Sequence, residues 1–189
     1  ATAVLGIPAP TSGGWGNVTF NITEQSYNAI WAPNGAFSNV GGNLILNNIG
    51  IPNEYNYLTF TDANYNDTMN IGGNFEMKTP SGDDIYFNFR LYVNALFTLN
   101  VGGDFIVTGG HIKFGHKLGK VIVNYWGNFN QTGGEVRAET TSGVTVNAYG
   151  VGKYISATYS TGSGTDFNTD DMIFDIKSGA NIYLNSPIP

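Results

Sequence analysis

Six times along the chain an Asn or Asp with hydrophobic neighbours leads into a glycine-bearing segment and then a strand-like run. The copies include Met69-Asn70-Ile71-Gly72-Gly73-Asn74-Phe75 and Leu99-Asn100-Val101-Gly102-Gly103-Asp104-Phe105. Counted on positions 39, 70, 100, 124, 147 and 175, the intervals are 31, 30, 24, 23 and 28 residues. A unit of that length cannot bury an apolar face alone, so its recurrence implies neighbours stacked along an axis.

The alternation inside each unit selects the kind of stack. Phe97, Leu99 and Val101, then Val121, Val123 and Tyr125, then Val144, Val146 and Ala148 follow a period of two. That is the period of a strand with one face buried, whereas a helical repeat would recur at three and four. The glycines that follow suit corners where one backbone lies close against the next. The sequence therefore predicts an all-β chain, a parallel β-solenoid or β-helix-like stack of about six irregular rungs. Phe97, Leu99, Val101, Val121, Val123, Val144, Val146, Phe174 and Ile176 are expected to point inward. The Asn column is expected to bond along the stack through its amides.

Proline placement agrees, because a strand bonded on both edges has no room for a residue without an N–H. The seven prolines are at 8, 10, 33, 52, 80, 187 and 189, so residues 81–186 have none. Residues 1–35 are expected to form an N-terminal arm or cap and residues 36–189 the solenoid body, within a single domain overall.

Composition limits the partners. Charged residues are 12% of the chain and the net charge is −6. Without a basic cluster to neutralise phosphates, a nucleic-acid partner is not expected. Lys113, Lys117 and Lys120 read as a solvated strand edge. The chain has no Cys, which removes disulfides and thiolate metal sites. No apolar run reaches the roughly 18 residues of a membrane span, and the first residues lack the basic start of a signal peptide. Low charge with abundant Asn, Thr, Gly and Tyr fits an extracellular or cell-surface protein. Asn-x-Ser/Thr acceptors at Asn17, Asn21, Asn66 and Asn130 are no more than chance yields with 24 Asn and 28 Ser plus Thr.

Site chemistry is sparse. Asp62, Asn64 and Asn66, and again Asp166, Asn168 and Asp170, place oxygen ligands at alternate positions as a calcium turn would. Neither copy is an EF-hand, since loop position six is Asp67 or Asp171 and position twelve is Gly73 or Lys177. The same side chains can instead cap their own turns. No cofactor other than calcium is indicated. His111 and His116 lack a third ligand, and a five-residue spacing puts them on opposite faces of a strand. Asp83-Asp84 and Asp170-Asp171 are the adjacent acidic pairs that a sugar-cleaving β-helix enzyme would use, with Arg90 and Arg137 as the only arginines for an anionic sugar. No motif for a nucleophile or a phosphate loop occurs, and the chain is not read as an enzyme.

The run Leu99-Asn100-Val101-Gly102-Gly103-Asp104-Phe105-Ile106-Val107-Thr108-Gly109-Gly110 resembles the repeats of bacterial β-helical adhesins and secreted surface proteins. Composition and size are similar to those of amyloid-like surface proteins that build archaeal sheaths or extracellular fibres. The resemblance covers roughly residues 38–185 and carries over no catalytic residue. It implies a self-assembling structural subunit of a sheath, fibre or surface layer, with other copies of itself as partner. The alternatives are an adhesin or glycan-binding module meeting cell-surface glycans, a polysaccharide-cleaving enzyme, or a β-sandwich fibre subunit exchanging its N-terminal strand.

Overall fold

A computed structural model describes residues 14–21, 30–31, 37–48, 57–60, 66–78, 84–87, 95–117, 119–140, 143–157, 167–168 and 172–184. They form seventeen strands and no helix. Every pairing among these strands is parallel, and they divide into two sheets. The chain is a parallel β-solenoid.

The smaller sheet is built from the repeats themselves. Its strands are β3 (Asn39–Val40), β6 (Asp67–Ile71), β9 (Leu96–Val101), β11 (Lys120–Tyr125), β13 (Val144–Ala148) and β16 (Met172–Ile176), stacked in chain order. The register sets Asn39, Asn70, Asn100, Asn124, Asn147 and Asp175 opposite one another.

The larger sheet has two strips. One contains β1 (Val18–Asn21), β4 (Leu44–Asn48), β7 (Phe75–Met77), β10 (Phe105–Lys117), β12 (Phe129–Thr140), β14 (Val151–Ala157) and β17 (Asn181–Leu184). The other contains β2 (Ile30–Trp31), β5 (Tyr57–Thr59) and β8 (Asp84–Phe87), then the far halves of β10 and β12, and lastly β15 (Phe167–Asn168). In β10 and β12 one strand serves both strips, and it turns at Gly110 and Gly134, each with φ of 69°. That left-handed conformation is open to glycine at little cost.

Register also explains the uneven intervals. Nine positions separate Phe75 from Asp84, but six separate their partners Phe105 and His111. Ten separate Phe87 from Phe97, against seven between Phe114 and Val121. The longer repeat carries three extra residues at each of two corners, while the strands keep their alignment.

The interior is a set of apolar columns. Phe97, Leu99, Val101, Val121, Val123, Val144 and Val146 are all at most 2% exposed, as the alternation requires. Phe75, Phe105 and Phe129 stack with ring centroids 4.7 and 5.1 Å apart, close to the spacing of successive strands. Ile176 departs from expectation. It continues the buried column Val40, Ile71, Val101, Tyr125 and Ala148, yet it is 52% exposed because it lies on the last strand of its sheet. The Phe174 side chain lies outside the described residues. Lys113 is a second departure, buried at 8% rather than solvated. It sits mid-strand between the paired β8 and β12, where neighbouring strands cover it.

Residues 15–21 belong to the stack, since β1 pairs with β4 and Trp15 bridges Val40. Residues 1–13 lie outside the described residues. Among the described residues no helix is long and apolar enough to cross a membrane.

Candidate functional site

Two polar ladders run along the stack, and they work differently. The first stands on the outer side of the smaller sheet, where Asn70 alternates with buried Met69 and Ile71. The Nδ2 of Asn70 donates to Asn39 Oδ1 at 3.0 Å. Asn100 donates to Asn70, Asn124 to Asn100 and Asn147 to Asn124, each at 2.7 Å. This is the expected single column of amides. Strand spacing of about 4.8 Å is what lets one amide reach the next. The column turns outward, its first members exposed and its last member, Asn147, buried at 7%.

The second ladder lies at the corner after the glycines and was not anticipated from the sequence. Asn43 N–H donates to Asn17 Oδ1 and Asn74 N–H to Asn43 Oδ1, both at 2.8 Å. Asp104 N–H donates to Asn74 Oδ1 at 2.9 Å and Asn128 N–H to Asp104 Oδ1 at 2.7 Å. The Tyr154 N–H continues it to Asn128 Oδ1 at 3.1 Å. Its signal is the Asn or Asp that follows Gly-Gly at 41–42, 72–73 and 102–103 and Trp-Gly at 15–16 and 126–127. Each such side chain satisfies a corner N–H that no strand partner can reach.

The glycines are needed for the same reason. Gly73 N–H donates to Gly42 O at 2.9 Å, and Gly103 N–H to Gly73 O at 2.8 Å. A Cβ on Gly103 would overlap Asn74 Oδ1 and lie 2.9 Å from the Gly73 carbonyl. At Gly16, on the first level, an added Cβ would meet nothing within 4 Å.

In the smaller sheet two described polar atoms break the pattern of satisfied groups. Tyr125 points into the interior, 0% exposed, and its hydroxyl has no hydrogen-bond partner. Burial pushes its phenol well above the ordinary range, because the charged form would lose its water. The second is Asn147 Oδ1, whose neighbour in the column is Asp175. Asp175 itself is paired with Lys177.

The expected calcium ligands are only partly within view. Asn66 Oδ1 accepts the Leu96 N–H at 3.0 Å, which ties one repeat to the next. Asn168 lies in β15 with Arg137 as its register partner. Asp62, Asn64, Asp166 and Asp170 lie outside the described residues, as do Asp83, Asp171 and Arg90. Among the described residues no three His, Cys, Asp or Glu side chains come together as a metal site. His111 is half-buried in β10 opposite Asp84 and Glu135, and Arg137 is engaged with Glu135 at 2.9 Å. Phe37, Phe60, Asp67, Met69 and Phe97 line a small hollow, and Asp67 Oδ1 accepts the Thr68 N–H at 2.8 Å.

Two surface features remain. Trp126, 44% exposed, stacks on Tyr149 with centroids 4.8 Å apart and planes 13° from parallel. Ile173, Ile176 and Tyr183 are 65%, 52% and 57% exposed, and all three lie on the last strands, β16 and β17. No known protein family, curated protein or solved structure matches this chain.

Proposed function

We propose that the protein is a self-assembling structural subunit of an extracellular sheath, fibre or surface layer, and not an enzyme. The observation that carries this reading is the state of the terminal strands. Among the described residues β16 pairs only with β13 and β17 only with β14, so each has one backbone edge with no described strand partner. Natural sheets usually guard such edges with charge, proline or a covering element. Here the edge strands expose Ile173, Ile176 and Tyr183 instead.

The sides of the stack support the same reading. Amide ladders and a charged-residue share of only 12% leave flanks rich in uncharged hydrogen-bonding groups. Such a surface also suits an exposed, extracellular setting. Electron microscopy of purified protein across a concentration series is the test. Filaments, tubes or sheets are expected, and dispersed single particles at high concentration would overturn the reading.

The exposed Trp126–Tyr149 stack favours a second reading, an adhesin or glycan-binding module, since a flat aromatic face is the surface on which a sugar ring packs its C–H groups. Glycan-dependent change in tryptophan fluorescence, lost in Trp126→Ala, would support it over assembly.

A further inference from the structure

A self-assembling subunit needs a joint, and the two ends of this stack are complementary. At the C-terminal end, Ile176 and Leu184 occupy the last register positions of two columns that are otherwise interior. The first column reads Trp15, Val40, Ile71, Val101, Tyr125, Ala148, Ile176. The second reads Val18, Leu44, Phe75, Phe105, Phe129, Ile155, Leu184. Every member of the first column from Val40 to Ala148 is at most 2% exposed, whereas Ile176 is 52% exposed. Ile176 thus holds an interior register position with no described level above it.

The other end carries the matching half. Trp15 and Val18 begin the same two columns and are half-buried. Nothing lies within 4 Å of where a Gly16 Cβ would be, and among the described residues no level lies below the first. Among the described residues the corner ladder begins there too. Each later corner N–H from Asn43 to Asn128 is held by the side chain one level down, and Asn17 is the first member.

Resting on the self-assembly reading above, we propose that copies join head to tail along the stack axis, with β16 and β17 of one copy seated on the Trp15–Asn21 level of the next. This contact repeats the relation between successive levels of one chain. It puts Leu184 in register with Val18, pairing β17 with β1 in parallel, and Ile176 in register with the Trp15 bridge position. A second copy is the occupant that the edges select, because both sheet edges must be met together at the same separation. The contact is heterologous, so it does not close on itself and extends into a filament. Main-chain hydrogen bonds and apolar columns make it nearly insensitive to salt.

Growth measured by light scattering and electron microscopy tests this with Ile176→Lys, Tyr183→Lys and the flank control Thr68→Lys, each checked for β content by circular dichroism. Ile176→Lys would place an unpaired charge in the joint, which should raise the concentration needed for growth by at least about tenfold. Tyr183→Lys provides a second hit on the same end should Ile176→Lys disturb folding. Thr68→Lys, on the exposed outer flank, should assemble like the unmodified protein. Added in small amounts, the Ile176→Lys protein should shorten unmodified filaments, because it can accept a neighbour at one end and offers none at the other. If both end variants grow filaments normally, the joint is wrong while self-assembly stands. If the unmodified protein stops at dimers, an end-to-end pair of like edges replaces the head-to-tail joint. If it never assembles, self-assembly fails as well.

Discussion

The corner glycines allow a sharp test of close stacking. Gly103 and Gly16 occupy the same corner column on different levels, and neither has a positive φ, so alanine is not strained by backbone conformation at either. They differ in what lies beneath. At Gly103 the methyl group would overlap Asn74 Oδ1 and press on the Gly73 carbonyl, while at Gly16 it would meet nothing within 4 Å. To admit the methyl at 103, Asn74 must swing aside and release the Asp104 N–H, or two levels must separate locally. The hydrogen bond contributes about 1 kcal/mol, and overpacking against backbone costs about 1–3 kcal/mol. Reduced freedom of the unfolded chain returns about 0.4–1 kcal/mol in either variant. Gly103→Ala should therefore lose roughly 1–3 kcal/mol, whereas Gly16→Ala should be neutral or slightly stabilised. Urea denaturation of monomeric protein, followed by far-ultraviolet circular dichroism, would compare the midpoints. A stack of repeats need not unfold in one step, so midpoints and slopes are both needed. Equal midpoints for the two variants would refute close backbone stacking as the reason for the glycine column.

Val123 lies fully buried between Leu99 and Val146, so Val123→Ala should cost about 1–3 kcal/mol through lost burial and an incompletely collapsed cavity, read from the same denaturation curves. Tyr125→Phe should stabilise the protein by about 1 kcal/mol, because it removes a buried hydroxyl that has no hydrogen-bond partner. Its pH dependence has a definite sign. The folded-state phenol titrates above its unfolded counterpart near 10, so stability is intact below about pH 10 and falls as pH rises above it. Alkaline denaturation should then be less steep in Tyr125→Phe, and identical slopes would show that Tyr125 ionises as an exposed phenol does.

What the sequence revealed and what it hid follow from one distinction. Inward positions were legible because period-two alternation reports burial at each residue: Leu99 and Val123 could be assigned from their neighbours alone. The amide column was legible because equal residues recur at the repeat interval. Ile176 has the same local pattern as Val101 and was expected inside, yet its exposure depends on being in the last copy, a property of the stack and not of the segment. Lys113 misled for a related reason, since its burial comes from strands paired on both sides, many residues away. Most of the calcium pattern lies outside the described residues. Asn66 turns out to hold the Leu96 N–H of the next repeat, a structural task that needs the same oxygen as a metal ligand would.

The two ladders also explain why one tolerates Asp in mid-stack and the other ends at it. At the corner each side chain is required only to accept a backbone N–H, so Asp104 serves as well as Asn74. On the sheet face each side chain must donate to the level below and accept from the level above, which an ionised carboxylate cannot do. Asp175 accordingly takes the sixth position without donating to Asn147, whose Oδ1 is left buried and unpartnered, and turns to Lys177 instead. Asp175→Asn should restore the missing donor and extend the ladder by one bond. The gain is about 0.5–1.5 kcal/mol from the hydrogen bond, set against a Lys177 pair that is partly exposed and contributes about 0–1 kcal/mol. The net effect should be modest stabilisation confined to β13 and β16, visible as slower amide hydrogen exchange there with little change at β6 or β9. Asp175→Ala separates the two contributions, because it removes the ion pair without supplying a donor. If Asp175→Asn protects β13 no better than Asp175→Ala does, the unpartnered Asn147 oxygen is not what limits the last level of the stack.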